Sequence, residues 1–401
     1  MKTTGIIAEY NPFHNGHKYH LEQARQMTGC DYVIVVMSGD YTQRGTPAIY
    51  SKYMRTKSAL LAGADLVLEM PVYGSVSSAP DFAACGVNTL DATGICDYLF
   101  FGSESGDIEL LKQQTAILSD ESEEISAKIK AGLKAGLSWP EARANAYGHE
   151  DSIASSPNDI LGIEYLRAIY KRNSSILPVT LKRNDPGYHS EEKDGRFASA
   201  TAARKAILSK DMDFLQEVLP DEHFESLTDF VCPPVIFNDY SLLLSEKILS
   251  TSLDQLSDIA GMPEDLARKL FKHRLDFLTS DQLVSERKDR NYTYTRVNRS
   301  LLNLILGITK DDSSRFKEYD SVPWLRILGF RKEAAPLLSE LKKHATVPII
   351  TKTANADSIL SEETFELFQK QLNASELYRL VAQLKSEKVI KNEFTSSIII
   401  V

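Results

Sequence analysis

Cysteine is scarce in this chain. The four present in 401 residues (Cys30, Cys85, Cys96, Cys232) are widely spaced, with no Cys-x-x-Cys pair and no histidine at ligand spacing around them. A disulfide framework and a zinc ribbon are therefore excluded, and the four are expected as buried thiols. Long apolar runs are also lacking: no stretch reaches the ~20 residues a membrane helix needs. The opening MKTTGIIAEYNPFHNGH carries one lysine and too few consecutive apolar residues for a signal peptide. A folded cytoplasmic protein with no membrane partner is expected. Positive charge is not in excess, the formal net charge being −9. That argues against a uniformly polyanion-binding surface, but charge averages over faces. Local clusters at Lys52–Lys57, Lys182–Arg183 and Arg287–Arg299 leave room for an RNA surface.

Two phosphate-binding signatures are missing as well. There is no Gly-x-x-x-x-Gly-Lys-Ser/Thr loop and no Gly-x-Gly-x-x-Gly after the first apolar run, which disfavours a kinase, a GTPase and a nicotinamide-dependent dehydrogenase. Internal repeats and low-complexity tracts are absent too.

What is present is an alternation of short apolar runs with amphipathic stretches in the first half, the pattern of an α/β doubly wound parallel sheet. Strands are expected at Gly5–Glu9, Tyr32–Met37, Leu66–Met70, Tyr98–Phe101 and Ile176–Leu181. Helices are expected at His17–Met27, Lys52–Ala62, Pro80–Leu90, Ile108–Leu118, Ser122–Ala135 and Asn158–Tyr170. From about Leu208 the alternation stops and mostly helical stretches follow, broken by Pro233-Pro234. At this length two units are the default, here 1–215 and 216–401 with a boundary near Asp213–Asp229. Leu256–Leu270, with Gly261-Met-Pro263 between two amphipathic pieces, looks like a short helix-turn-helix or helix-hairpin-helix unit, a pattern that is more often plain helical packing, and the tail Ser396–Val401 could be a docked strand.

Ligands of an open parallel sheet bind beyond the carboxyl ends of its strands. The loop after the first strand, Tyr10-Asn-Pro-Phe-His14-Asn-Gly-His17, places two imidazoles at the start of a helix, whose unpaired N–H groups and positive dipole end suit a phosphate. Two imidazole donors can also stabilise charge that grows on phosphate oxygens. A zinc site is the rival reading, but no third ligand lies at a supporting spacing. A second constellation, Ser199-Ala-Thr201-Ala-Ala-Arg204, opens another helix. By itself it is an ordinary N-cap; paired with the histidines, it could hold β- and γ-phosphates.

Together, His14-Asn-Gly-His17 and Ser199-Ala-Thr201 with Arg204 resemble the nucleotidyltransferases related to class I aminoacyl-tRNA synthetases. Ile6–His17, Met37–Gly45, Ser156–Tyr165 and Arg326–Phe330 are similar, over nearly the whole chain, to the bacterial tRNA(Met) cytidine acetate ligase family. Asp40 departs from the resemblance, which leads one to expect Asn there in many relatives. The resemblance implies a Rossmann-like nucleotidyltransferase domain and a helical tRNA-binding domain. It implies condensation of acetate with ATP, carried with phosphate-bound Mg²⁺, to acetyl-adenylate, then acetylation of the wobble cytidine of elongator tRNA(Met) to N4-acetylcytidine. The catalytic residues implied are His14, His17 and Arg204. ATP would be bound by Ile7, Ala8, Glu9, Tyr10, Asn11, Pro12, Phe13, His14, Asn15, Gly16, His17, Lys18, Tyr19, His20, Gly102, Asn158, Arg183, Ser199 and Thr201. No metal ligand on the chain and no protein partner is implied.

Basic residues interleaved with aromatics in Arg287–Arg299 suit RNA backbone and base stacking, so Arg287, Lys288, Arg290, Arg296 and Arg299 are candidate tRNA contacts. A solvated helix face with Tyr292 and Tyr294 packed beneath it is the plainer alternative. Lys52, Arg55 and Lys57 are further candidates. Two other functions share parts of this pattern: an adenylyltransferase acting on a phosphorylated cofactor precursor, and a non-catalytic RNA-binding protein. The long helical half counts against the first, and the intact His14, His17 and Arg204 against the second.

Overall fold

A computed structural model describes residues 1–119, 123–134, 156–183, 198–221, 233–288, 292–319 and 321–401, with positions 142, 145, 146 and 224. Cys232, Arg290, residues 184–187 and the end residues 122 and 135 of one expected helix lie outside the described residues.

The first half forms five strands, β1 (Thr3–Ala8), β2 (Tyr32–Ser38), β3 (Leu66–Met70), β4 (Tyr98–Ser103) and β5 (Leu177–Lys182). Between them run α1 (Asn15–Thr28), α2 (Lys52–Leu61), α3 (Ala79–Asp91), α4 (Ile108–Ser119), α5 (Glu123–Lys134) and α6 (Pro157–Arg172). The expected elements are all there, with ends displaced by one or two residues. All pairings among these five strands are parallel, in the order β5-β4-β1-β2-β3. Chain direction across the sheet reverses between β1 and β4, which opens a crevice at their carboxyl ends.

Alternation along β2 splits its side chains between two cores. Val33, Val35 and Met37 join Ile6, Phe13, Leu21 and Phe100 on the α1 face, while Ile34 and Val36 join Leu66, Leu68, Phe82 and Leu166 on the other. The second core runs on without a break into Tyr240, Leu256, Trp324 and Phe368, so the later helices pack directly on the sheet.

Those later helices are α7 (Ala200–Ser209), α8 (Met212–Val218), α9 (Ser241–Ser250), α10 (Leu253–Asp258), α11 (Glu264–Lys272), α12 (Ser280–Arg287), α13 (Tyr294–Leu306), α14 (Lys310–Lys317), α15 (Ala335–His344) and α16 (Glu362–Ser386), leaving aside single turns. Helices α10 and α11 form the expected hairpin, turning at Gly261 (φ 71°). Three short strands lie among or after them, β6 (Leu325–Phe330), β7 (Ile349–Ile350) and β8 (Ile399–Ile400). Strand β6 adds antiparallel to β3, and both β7 and β8 pair with β6. The sheet is thus mixed and mostly parallel, and the apolar tail docks as a strand.

Candidate functional site

The loop between β1 and α1 is shaped by its own side chains. His14 is the N-cap of α1: its Nδ1 accepts the Gly16 N–H at 3.1 Å, and the His17 Nδ1 accepts the His14 N–H at 3.3 Å. With both Nδ1 atoms accepting, each neutral ring carries its proton on Nε2 and offers an N–H donor there. The rings stack 3.8 Å apart at 27°. Tyr10 and Phe13 flank His17 with ring centroids at 4.8 and 5.6 Å. Tyr10 sits in the left-handed backbone region (φ 50°), a conformation a non-glycine residue adopts only where its surroundings hold it.

Neighbouring segments pin this loop at several points. Arg204 donates from Nη1 to the Asn11 carbonyl at 2.6 Å and from Nη2 to Thr201 Oγ at 3.0 Å. Asn15 donates to the Glu217 carbonyl at 3.0 Å, and Asn11 Oδ1 accepts the Ile49 N–H at 2.8 Å. The two constellations, nearly two hundred residues apart in sequence, therefore meet. Ser199 caps α7 through Ala202 N–H at 3.2 Å, the N-cap role expected of it in isolation.

Across the crevice, Arg183 lies over Gly102 and reaches Asn158 Oδ1 at 3.4 Å. Asn158 is fixed by Glu104, whose carboxylate also accepts the backbone N–H groups of Asn158 and Asp159 at the start of α6. His20, packed on Phe100 at 4.8 Å, joins the two sides: burial first and the Arg183 charge second push its pKa down to about 4. The first loop and Arg204 are thus joined on one side, and Gly102, Asn158 and Arg183 on the other. Ile7 and Ala8 belong to β1, and Tyr10 and Phe13 pack beneath the loop. Lys18 and Tyr19 line a separate cavity of about 350 Å³ against α8. A further cavity, about 860 Å³ beside Met1, Arg25 and Arg331, lies at the amino ends of the strands, the wrong edge for a nucleotide.

His20 gives a pH prediction. The folded ring stays neutral down to about pH 4, while the unfolded residue takes its proton near 6.5. The unfolded state thus gains the proton first, and stability is expected to fall as pH drops from 6.5 towards 4. Denaturation midpoints across this range should show a shallower slope for His20→Gln; an unchanged slope would remove His20 from the account.

The basic residues divide. Lys52 is not a surface contact, which corrects the expectation. It is 1% exposed, and its Nζ lies 2.9 Å from Glu69, 3.1 Å from Glu393 and 2.8 Å from Ser375 Oγ. Burial by itself lowers the pKa of the ammonium, but Glu393 and Glu69 outweigh that and raise it. Arg55 is buried too, donating to the carbonyls of Glu9, Ser38, Gly39 and Tyr50. Asp40 accepts the Lys52 N–H at 2.8 Å, a bond an asparagine would also make.

Lys57, Lys288 and Arg296 are exposed, the last 5.0 Å over the Tyr292 ring. Tyr292 itself is buried, leaving Tyr294 as the accessible aromatic. Arg287 is half-buried beside Glu286. Arg299, also half-buried, donates to the Gln43 carbonyl at 3.1 Å. Gln43 lies in the family-like stretch Met37–Gly45, but no role for it was expected from the sequence. Its N–H goes to Glu9 Oε1 at 2.6 Å, so it bridges β1 and α13. Gly45 makes this approach feasible: at φ 75°, a Cβ would overlap the backbone of Asn298 and Arg299.

A family model described as HIGH Nucleotidyl Transferase matches residues 1–393. The chain is 36% identical to a tRNA(Met) cytidine acetate ligase of Acetivibrio thermocellus over 100% of both chains. It is 38% identical to one from a Thermoanaerobacter species over 95% of both. Two crystal structures of Thermotoga maritima TmcAL, one bound with alpha-thio ATP and one apo, match with TM-scores of 0.91 and 0.94. Each is 31% identical and is covered over 100% of both chains.

Proposed function

The chain belongs to the HIGH nucleotidyl transferase family and, within it, to the tRNA(Met) cytidine acetate ligases, and from that premise we propose the reaction it carries out. It is an ATP-dependent ligase that joins acetate to ATP as acetyl-adenylate, releasing pyrophosphate. It then acetylates N4 of the wobble cytidine of elongator tRNA(Met). The observation that carries this reading is the meeting of Arg204 with the His14–His17 loop, at 2.6 Å from the Asn11 carbonyl. The cofactor adenylyltransferase alternative is not favoured, since relatives matching over the whole length carry the ligase name.

In adenylation an acetate oxygen attacks the α-phosphorus and the bond to the pyrophosphate oxygen breaks. The Nε2–H groups of His14 and His17 stabilise charge on the phosphate oxygens, with the N-terminus of α1 behind them. Arg204 and Arg183 hold the phosphates from either side, with Ser199, Thr201, Gly102 and Asn158 as neighbours. Among the described residues no group of three or more His, Cys, Asp or Glu is placed to hold a metal. A Mg²⁺ arriving on the nucleotide would offset the charge of departing pyrophosphate.

Nucleotide chemistry is assigned to 1–215 and tRNA holding to 216–401, with exposed Lys288 and Arg296, and Lys57 from the first half, as contacts. No described helix is long and apolar enough to cross a membrane, and a cytoplasmic enzyme fits its tRNA substrate. The direct test is to incubate the protein with ATP, Mg²⁺, labelled acetate and bulk bacterial tRNA, then digest the RNA. Labelled acetylcytidine that requires both ATP and acetate is expected; its absence from active, ATP-binding protein would overturn the tRNA assignment.

Gly45→Ala separates the two halves of the reaction. It is expected to leave acetate-dependent ATP–pyrophosphate exchange near wild type while lowering tRNA acetylation by about 100-fold, the cost of a misplacement of about 1 Å. Parallel loss of both activities would show that the Gln43 bridge serves adenylation instead.

A further inference from the structure

Acetyl transfer, on the reading just proposed, needs a base, because the cytidine N4 must shed a proton once it bonds to the acetyl carbon. Most titratable groups around the crevice are committed elsewhere. His14 and His17 accept backbone N–H groups at Nδ1 and serve as donors at Nε2. His20, with its pKa pushed down to about 4 by burial and by Arg183, is a poor proton acceptor at neutral pH. Glu104 is spent on the start of α6, and Asp159 accepts from Ser105 Oγ at 2.8 Å. Asp40 and Glu69 are buried around Lys52.

Glu9 differs from all of these. It is half-buried and follows β1 at the carboxyl edge of the sheet, one residue before the tight turn of the phosphate loop. Its Oε1 takes the Gln43 N–H at 2.6 Å, and among the described residues no hydrogen bond engages Oε2. The Gln43 carbonyl in turn receives Arg299 from α13. A single residue therefore spans from this carboxylate to the helix that carries exposed Arg296. The carboxylate stands between the adenylation loop and the face assigned to RNA.

We propose that Glu9 is the general base of acetyl transfer. As the N4–carbon bond forms, Glu9 Oε2 takes the N4 proton. The bond from the acetyl carbon to the phosphate oxygen breaks with its electron pair on AMP, and the carboxylic acid then loses its proton to solvent.

Glu9→Gln keeps an amide oxygen for the Gln43 N–H but cannot accept the proton, so it removes basicity while sparing the anchor. Chemically prepared acetyl-adenylate supplied with tRNA bypasses adenylation. With it, Glu9→Gln is expected to lower kcat for tRNA acetylation by about 100-fold with an unchanged KM for tRNA. Glu9→Asp, which retains a carboxylate one methylene further back, should remain within about tenfold of wild type. A wild-type rate in Glu9→Gln would overturn the proposal. So would a loss confined to KM, or equal losses in the Asp and Gln variants, since these mark a role in placing the RNA or the loop. Failure of the wild-type protein to acetylate tRNA from acetyl-adenylate would instead sink the ligase reading itself, and this assignment with it.

Discussion

Alanine at His14 or His17 is expected to lower acetate-dependent ATP–pyrophosphate exchange by about 100- to 1000-fold, the usual cost of removing one preorganised donor from a developing oxyanion. The reason lies in the hydrogen bonds that hold the rings. Each Nδ1 is tied to a backbone N–H of the same loop, so each Nε2–H is fixed in tautomer and direction before substrate arrives. Because the rings stack at 3.8 Å, losing one also frees the other, and the double variant should cost little more than either single. His14→Asn is the informative control. Asparagine is a good N-cap, so α1 should survive while the exchange rate still falls. Affinity for tRNA should be unchanged throughout; equal losses in exchange and tRNA binding would count against the assigned role.

Lys52→Met should produce the largest loss of stability, about 3–5 kcal/mol in urea or guanidinium titrations, because it strands buried carboxylates. The ammonium sits among Glu69, Glu393 and Asp40, with Arg326 and Arg55 as the other cations nearby. Glu69 and Asp40 already have raised pKa values, through burial above all. A carboxyl raised in the folded state contributes stability at low pH that is lost as pH rises through its folded value. The deficit of Lys52→Met should therefore shrink on acidification. The double variant Lys52→Met/Glu69→Gln should recover part of it. A deficit independent of pH would mean that the carboxylates are not what the lysine neutralises.

Lys52 also shows where sequence reasoning reached its limit. Apolar periodicity located all five parallel strands and the six helices between them, because each buries a face whose period is set locally. The rule that ligands gather beyond carboxyl ends singled out the loops after the strands. Burial of a charge, however, depends on partners far away in sequence, and a Lys-x-x-Arg run looks the same whether it faces water or a core. A signal was nonetheless present. Glu69 interrupts the apolar run LVLEM and Arg326 interrupts LRILGF, and the two are partners across the β3–β6 pair. A lone charge inside an otherwise buried strand calls for an opposite charge in another such strand. Read that way, the two would have pointed to β6 as part of the sheet and to a buried ion network. The Gln43 bridge had no comparable signal, since it uses only backbone atoms of that residue.

The antiparallel pairing of β3 with β6 also has a consequence for synthesis on the ribosome. Met70 ends β3 and Leu325 begins β6, so 254 residues must be made before that edge finds its partner. At about 5–20 residues per second, the interval is about 10–50 s, during which an apolar strand edge stands open to any other nascent chain. The same Glu69 that later meets Arg326 is then a charged residue on that edge still without Arg326, which makes β-pairing with an apolar neighbour unfavourable. The residue that anchors the finished ion network thus guards the half-made sheet, and Glu69→Gln should raise aggregation during translation more than it lowers the stability of the completed chain.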